Sequence, residues 1–177
     1  MLSYSVADLL RSAPGTSERH AFAVPTLSIA DEVELVEPVR GEVRFTHSGR
    51  SVIVQGHVDT VLAERCSRCL RPAQAPVSVD FEEEALPSVD PDSGAPLRDA
   101  DEPWVLRVDE HHHIDLEPAL RDAISLAEPI APLCRADCPG LCKVCGVDLT
   151  DSIAHGHPDD EIDPRLASLA GIRERLQ

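Results

Sequence analysis

The order of apolar and polar positions predicts strands before it predicts helices. Val43, Phe45 and His47 alternate with Glu42, Arg44 and Thr46. Beyond a Ser48-Gly49-Arg50 turn, Val52, Val54, Val58 and Leu62 share one parity, and Gln55, His57 and Asp59 share the other. Side chains two apart lie on one face of a strand, so the pattern predicts an antiparallel hairpin with one buried face. His57 falls on its polar face and reads as a surface residue rather than a ligand. Val77, Val79 and Phe81 repeat the alternation against Ser78, Asp80 and Glu82, and Trp104, Leu106 and Val108 repeat it against Val105 and Arg107. Val33 and Leu35 start a strand that Pro38 closes, and His20 to Ile29 reads as extended chain broken at Pro25.

Helical spacing is rarer. Ser5 is placed to cap a short helix carrying Val6, Leu9 and Leu10, which ends at Pro14-Gly15. Asp115 is placed to cap a second, with Leu116, Leu120, Ile124 and Ala127 on one stripe and Glu128-Pro129 as its end. Pro118 lies in its first turn, where a missing N–H costs little. Asp163-Pro164 opens a third, whose apolar side is Leu166, Leu169, Ala170 and Leu176. Gly171 inside it costs about 1 kcal/mol relative to Ala, so this helix needs docking to persist. Leu86 to Pro103 is rich in Pro, Asp and Gly without a period and predicts a mobile acidic loop. His111, His112 and His113 diverge as neighbours must, which predicts a solvated turn. The expected architecture is α+β: a mostly antiparallel, barrel-like sheet with a packed helix and a C-terminal zinc-bound segment. Residues 1–128 would form the sheet domain, and 129–177 a cysteine-rich segment docked on it.

Composition changes two parts of this picture. Aromatics are only 3% of a chain that is 42% hydrophobic, so the core must be aliphatic. The net charge of −16 argues against free nucleic acid or an anionic membrane surface as a direct partner and favours a basic one. The first residues lack a basic region followed by an apolar one, and no apolar run is long enough to span a bilayer. The expected location is the cytoplasm, where paired cysteines read as metal ligands before disulfides.

The candidate chemistry is concentrated between Leu133 and Gly146, which holds Cys134, Cys138, Cys142 and Cys145. Cys142 and Cys145 form a C-x2-C pair followed by Gly146, the sequence of a zinc-binding turn, and Pro139-Gly140 forces a second turn. Cys66 and Cys69 form another C-x2-C pair between two strands, and His155 and His157 follow the cluster. A redox pair wants a helix N-terminus, and no helical pattern starts at Cys66. Structural zinc takes four donors and leaves no open position. Two partitions are open. In the preferred one, Cys142, Cys145, His155 and His157 bind one ion, and Cys66, Cys69, Cys134 and Cys138 bind another, so that every pair is used. In the other, the four clustered cysteines bind a single ion and Cys66 and Cys69 stay free. The spacing does not match the common iron–sulfur run. Asp159 or Glu161 could serve a catalytic metal as a base, but nothing in the pattern fixes either one there. No nucleophile elbow, phosphate loop or H-E-x-x-H is present, so no catalytic residue is assigned.

Taken together, Cys66-Ser-Arg-Cys69-Leu-Arg-Pro, Ile114-Asp115-Leu116, Pro129-Ile-Ala-Pro-Leu-Cys134, Gly140-Leu-Cys-Lys-Val-Cys-Gly146 and Asp163-Pro-Arg-Leu-Ala-Ser-Leu169 resemble the YceD-like family of large ribosomal RNA accumulation proteins. The resemblance implies a cytoplasmic, non-enzymatic factor for large ribosomal subunit biogenesis, needed for normal accumulation of 23S ribosomal RNA. Its implied partner is the large-subunit precursor. The acidity of this chain points to contact through a basic ribosomal protein or protein-coated 23S RNA, without membrane or small-molecule substrate. Relatives commonly carry Cys-x-Cys where this chain has His155-Gly156-His157. The rival readings are a zinc-dependent hydrolase or nuclease, and a zinc-stabilised interaction module unrelated to ribosomes.

Overall fold

Alternation along the chain becomes one eight-stranded sheet. The computed structural model describes residues 2–29, 34–90, 93–97, 105–151 and 155–157. In chain order the elements are β1 (Ser3–Ser5), α1 (Ala7–Leu10), β2 (Ser17–Val24), β3 (Glu34–Leu35), β4 (Val39–His47), β5 (Val52–Arg65), β6 (Pro72–Pro87), β7 (Leu106–Val108), β8 (His113–Asp115) and α2 (Glu117–Ala127). The strand order is β1-β8-β7-β6-β5-β4-β2, with β3 pairing β5 off this path. The sheet curls into a half-barrel. Its two edge strands approach each other: Tyr4 of β1 lies 5.1 Å from the His20 ring of β2, and both rings meet Phe45.

The β4–β5 hairpin forms at the expected turn, with His47 opposite Val52 and Val43 opposite Gly56. Val43, Phe45, Val52, Val54, Val58 and Leu62 are all buried on the inner face. The core is aliphatic apart from Phe45 and Phe22, and α2 closes it with Leu120 and Ile124, packing against β6. Burying a Leu or Val side chain fully contributes about 1.5–3 kcal/mol, so these inward rows dominate the stability of the fold.

Among the described residues every strand pairing is antiparallel except one: β6 and β7 run parallel, Ala85 beside Leu106 and Pro87 beside Val108. A parallel neighbour requires a crossover connection, and the Pro- and Asp-rich stretch supplies it. That stretch was expected to be loop from Leu86 onward. Instead Leu86 and Pro87 finish β6, and Val89 bridges to Pro96. Residues 91–92 and 98–103 of the stretch lie outside the described residues, as do Trp104 of the strand expected after it and Val33 of the short strand.

The two helix caps expected within the described residues are displaced. Ser5 is the last residue of β1, paired with His113, and the cap position of α1 is Val6, which makes no side-chain capping bond. Strand pairing claims Ser5 before the helix can, and the Val6 N–H donates to the His112 carbonyl at 2.8 Å. In α2 the cap position is Leu116, because Asp115 ends β8. Its carboxylate still accepts the Glu117 N–H at 3.1 Å, one residue out of frame. Of the three histidines, His111 is exposed and His112 takes a left-handed φ of 61° in the turn, while His113 opens β8.

The β5–β6 ribbon outruns the rest of the sheet. β4 pairs with β5 only as far as Arg40 opposite Asp59, whereas β6 follows β5 to Arg65 opposite Pro72. β7 pairs with β6 only from Ala85 on, and among the described residues no strand pairs with the same edge beside residues 72–84. Pro76 sits on that edge. Its partner Val61 gives its carbonyl to Val36 instead, so the missing proline N–H costs no ladder bond. The ribbon thus carries Cys66 and Cys69 out at its tip.

Candidate metal centre

The hairpin tip is a compact turn made by Cys66-Ser67-Arg68-Cys69-Leu70-Arg71. The Leu70 N–H donates to the Cys66 carbonyl and the Cys66 N–H donates to the Arg71 carbonyl, both at 2.9 Å. Cys142-Lys143-Val144-Cys145-Gly146-Val147 repeats the same two bonds: Gly146 N–H to Cys142 carbonyl and Cys142 N–H to Val147 carbonyl, both at 2.8 Å. The residue after the second cysteine is left-handed in each, Leu70 at φ 62° and Gly146 at φ 74°. The first turn therefore holds a strained leucine where the second has the residue suited to the conformation.

Each turn meets a different partner pair. Cys66, Cys69, Cys134 and Cys138 converge in one group, and Cys142, Cys145, His155 and His157 converge in another; within each group all ligand atoms lie within 4.8 Å of one another. Either group could hold a metal ion. Cys66 Sγ is 3.8 Å from Cys138 Sγ, and Cys69 Sγ is 3.7 Å from Cys134 Sγ. Those separations are far beyond a disulfide bond. Four sulfurs about 2.3 Å from a tetrahedral ion stand about 3.8 Å apart, so the first group has the dimensions of a zinc tetrathiolate. In the second group Cys145 Sγ is 3.3 Å from both His155 Nε2 and His157 Nε2, which lie 2.9 Å from each other. That set is slightly tighter than the roughly 3.3–3.6 Å expected around zinc with nitrogen and sulfur donors.

The surroundings of the two groups differ. Cys66, Cys69 and Cys138 are buried and form a small core of their own with Ala73 and Leu133. Cys145, His155 and His157 are exposed. The segment before Cys142 wraps the hairpin tip: Ser67 donates through both N–H and Oγ to the Pro132 carbonyl, Arg68 Nη1 donates to the Cys138 carbonyl at 2.9 Å, and the Leu141 N–H donates to the Arg68 carbonyl at 3.0 Å. Gly140 turns here at φ 78°, with its absent Cβ position 3.0 Å from the Arg68 carbonyl oxygen.

These contacts shape the thiols. The backbone N–H of Cys134 faces Cys66 and holds its pKa down to about 6 against desolvation. Cys142 is held at about 6 by the backbone N–H groups of Cys145 and Val144, the latter 3.4 Å from its sulfur. Desolvation and the surrounding thiols push Cys134 up to about 12. Each turn therefore offers one thiol prepared as a thiolate, the form that ligates metal.

All eight residues singled out in the sequence fall into these two groups, in the arrangement that uses every pair. Sequence reasoning passed over Arg68 and Arg71, which bind the two cysteine-bearing segments together. Their positions one and two residues from Cys69 were the available signal. Asp159, Glu161 and the helix expected from Asp163 lie outside the described residues.

Comparison with known proteins bears on the whole arrangement. The family described as large ribosomal RNA subunit accumulation protein YceD matches residues 54–173, more than half of the chain. The chain belongs to this family. The match runs from the second hairpin strand through both cysteine turns and the two histidines. An uncharacterized protein of Mycobacterium tuberculosis is 38% identical over 128 residues, 72% of this chain and 58% of that protein. One from Mycobacterium leprae is 34% identical over 154 residues, 84% of this chain and 67% of that protein. The chain thus spans less than two thirds of the M. tuberculosis relative. No solved structure matches it.

Proposed function

We propose that the chain is a non-enzymatic factor for large ribosomal subunit biogenesis, needed for accumulation of 23S ribosomal RNA and held together by two structural zinc ions. The family match carries the ribosomal part of this reading. The two four-donor groups carry the metal part. Cys66, Cys69, Cys134 and Cys138 would hold one ion, and Cys142, Cys145, His155 and His157 the other. Bound zinc supplies charge and tetrahedral geometry at these sites. Four protein donors per ion leave no position for water or substrate, which favours a structural over a hydrolytic role.

The binding partner is the large-subunit precursor, reached in the cytoplasm through a basic ribosomal protein or RNA already coated by one. Net charge supports this: at −16 the chain has little counterion release to gain from a naked phosphate backbone. Among the described residues no helix is long and apolar enough to cross a membrane.

Depleting the protein in its host is expected to lower 23S RNA relative to 16S RNA, and the protein is expected to co-sediment with precursor large subunits. An unchanged RNA ratio together with absence from every ribosomal fraction would overturn the ribosomal role. Protein purified without an affinity tag is expected to carry two zinc equivalents, and elemental analysis finding none would overturn the metal role.

A further inference from the structure

Arg71 belongs to both metal centres. Its main chain closes the first cysteine turn, where its carbonyl accepts the Cys66 N–H at 2.9 Å. Its backbone N–H faces the Cys69 sulfur and lowers that thiol's pKa, although burial and the neighbouring thiols leave it raised overall. Its side chain leaves the first centre altogether. Nε lies 2.6 Å from Asp148 Oδ2, and Nη2 pairs with Asp151. Both carboxylates sit on the stretch between the cysteines and the histidines of the second centre.

That stretch is organised around the clamp. Asp148 bridges to Leu141, just before Cys142, and accepts the Thr150 N–H at 2.8 Å. The Thr150 backbone N–H, the Thr150 side chain and Arg71 together hold the Asp148 carboxyl below the usual carboxylate range. Asp151 stands four positions before His155. Fixing both acids shortens the free chain that must close before the histidines reach the ion held by Cys142 and Cys145. A ligand set joined by a pre-ordered loop loses less conformational entropy on binding metal.

We infer that Arg71 is a positioning residue for the second metal centre, tying the loop that delivers His155 and His157 to the first centre, so that metal is retained at the second centre only as well as the first holds Arg71 in place. The inference rests on the zinc reading given above. Coupling of this kind is reciprocal only while both ions are bound, so loss of the clamp is read in the release of the first ion to leave, and the ion that remains is released without it. An arginine suits the task because its planar fork can engage two carboxylates in fixed directions, whereas a lysine offers one compact charge.

The test uses the full-length, zinc-loaded protein challenged with excess chelator. Zinc release is followed with a metal-sensitive dye, and freed thiols are mapped by alkylation and mass spectrometry. The wild-type protein is expected to release zinc in two phases, with Cys142 and Cys145 alkylated in the fast phase and Cys66 and Cys69 in the slow one. In Arg71→Ala the fast phase is expected to accelerate about fivefold, the scale of two lost exposed ion pairs. The slow phase should be unchanged, and Arg71→Lys should fall between the two. Asp148→Asn/Asp151→Asn cuts the clamp from the other side, at half-buried Asp148 and exposed Asp151, and should reproduce Arg71→Ala. An unchanged fast phase in both variants overturns the inference, as does equal acceleration of both phases, which would mark Arg71 as a general support of the fold. Wild-type protein that binds no zinc overturns the metal reading itself, and that is seen before any variant is compared.

Discussion

His57 shows how far one residue's environment can be read from its place in a strand. Its parity put it on the outer face of β5, and its side chain is 40% exposed there. The register then sets its partners: Asp80 lies directly opposite on β6, with the His57 Nδ1 2.7 Å from Asp80 Oδ1, and Asp59 lies two positions along at 3.3 Å from Nε2. The hydrogen bond that the imidazolium donates to Asp80 raises the His57 pKa above its ordinary 6.5, against slight desolvation, with Asp59 adding to the rise. Because the folded value lies above the unfolded one, the stability this pair contributes is complete below about pH 6.5. It is lost as pH rises through the folded value. An NMR titration of the imidazole is expected to give a midpoint above 6.5, and Asp80→Asn to move it down toward that value. A midpoint at or below 6.5 in the wild-type protein would contradict the pairing. The neighbouring alternation was legible for the same reason: a period of two and a face of aliphatic residues leave little choice of register.

At the scale of elements, the β5–β6 ribbon and the segment that wraps its tip decide where metal can bind. Gly140 is the tightest point of that wrapping. A side chain there would combine a left-handed φ of 78° with a Cβ only 3.0 Å from the Arg68 carbonyl oxygen. Gly140→Ala is expected to cost about 1–2 kcal/mol from the backbone conformation alone, more if the Arg68 contact cannot relax, and to hasten zinc loss from the cysteines at the tip. Gly156→Ala is the control, since nothing lies within 4 Å of the added carbon and its φ is ordinary. Equal melting temperatures for the two variants would show that the close approach at Gly140 is not needed. The cysteine turns were legible because C-x2-C specifies local geometry, with a turn residue after it only at Gly146. The partition that uses every pair was preferred and matches the two groups, but the spacing left a second one open, because the choice depends on how far the ribbon projects and on Arg68 reaching the Cys138 carbonyl, both long-range facts. The parallel β6–β7 pair was hidden likewise: alternation specifies a face but not a neighbour, and the crossover carries no period of its own. Ser5 and Asp115 were misplaced by one residue because strand pairing extended through them.

Across the whole molecule, the two groups of ligands close chain loops of very different size. In the first, Cys66 meets Cys138 across 72 positions and Cys69 meets Cys134 across 65. In the second, Cys145 meets His155 and His157 across 10 and 12 positions. An ion in the first group would staple the tip of the ribbon to the segment that follows α2, whereas an ion in the second would close only the short loop between its own ligands. The entropy removed from the unfolded chain grows with the logarithm of loop length, which favours the first group by about 1.5 kcal/mol at equal metal affinity. Burial adds to the difference, because Cys66, Cys69 and Cys138 form a small apolar core and the exposed ligands of the second group do not. Cys138→Ala and Cys145→Ala are each expected to lose about one zinc equivalent. Cys138→Ala is expected to lower the melting temperature of the zinc-loaded protein clearly further, and to expose the hairpin tip near Arg68 to proteolysis. Cys145→Ala should leave the tip protected and expose only the stretch after Gly146. Equal destabilisation by the two substitutions, with zinc content falling by the same amount, would show that the ribbon is held to the cysteine-rich segment by the hydrogen bonds of Ser67 and Arg68 rather than by the metal.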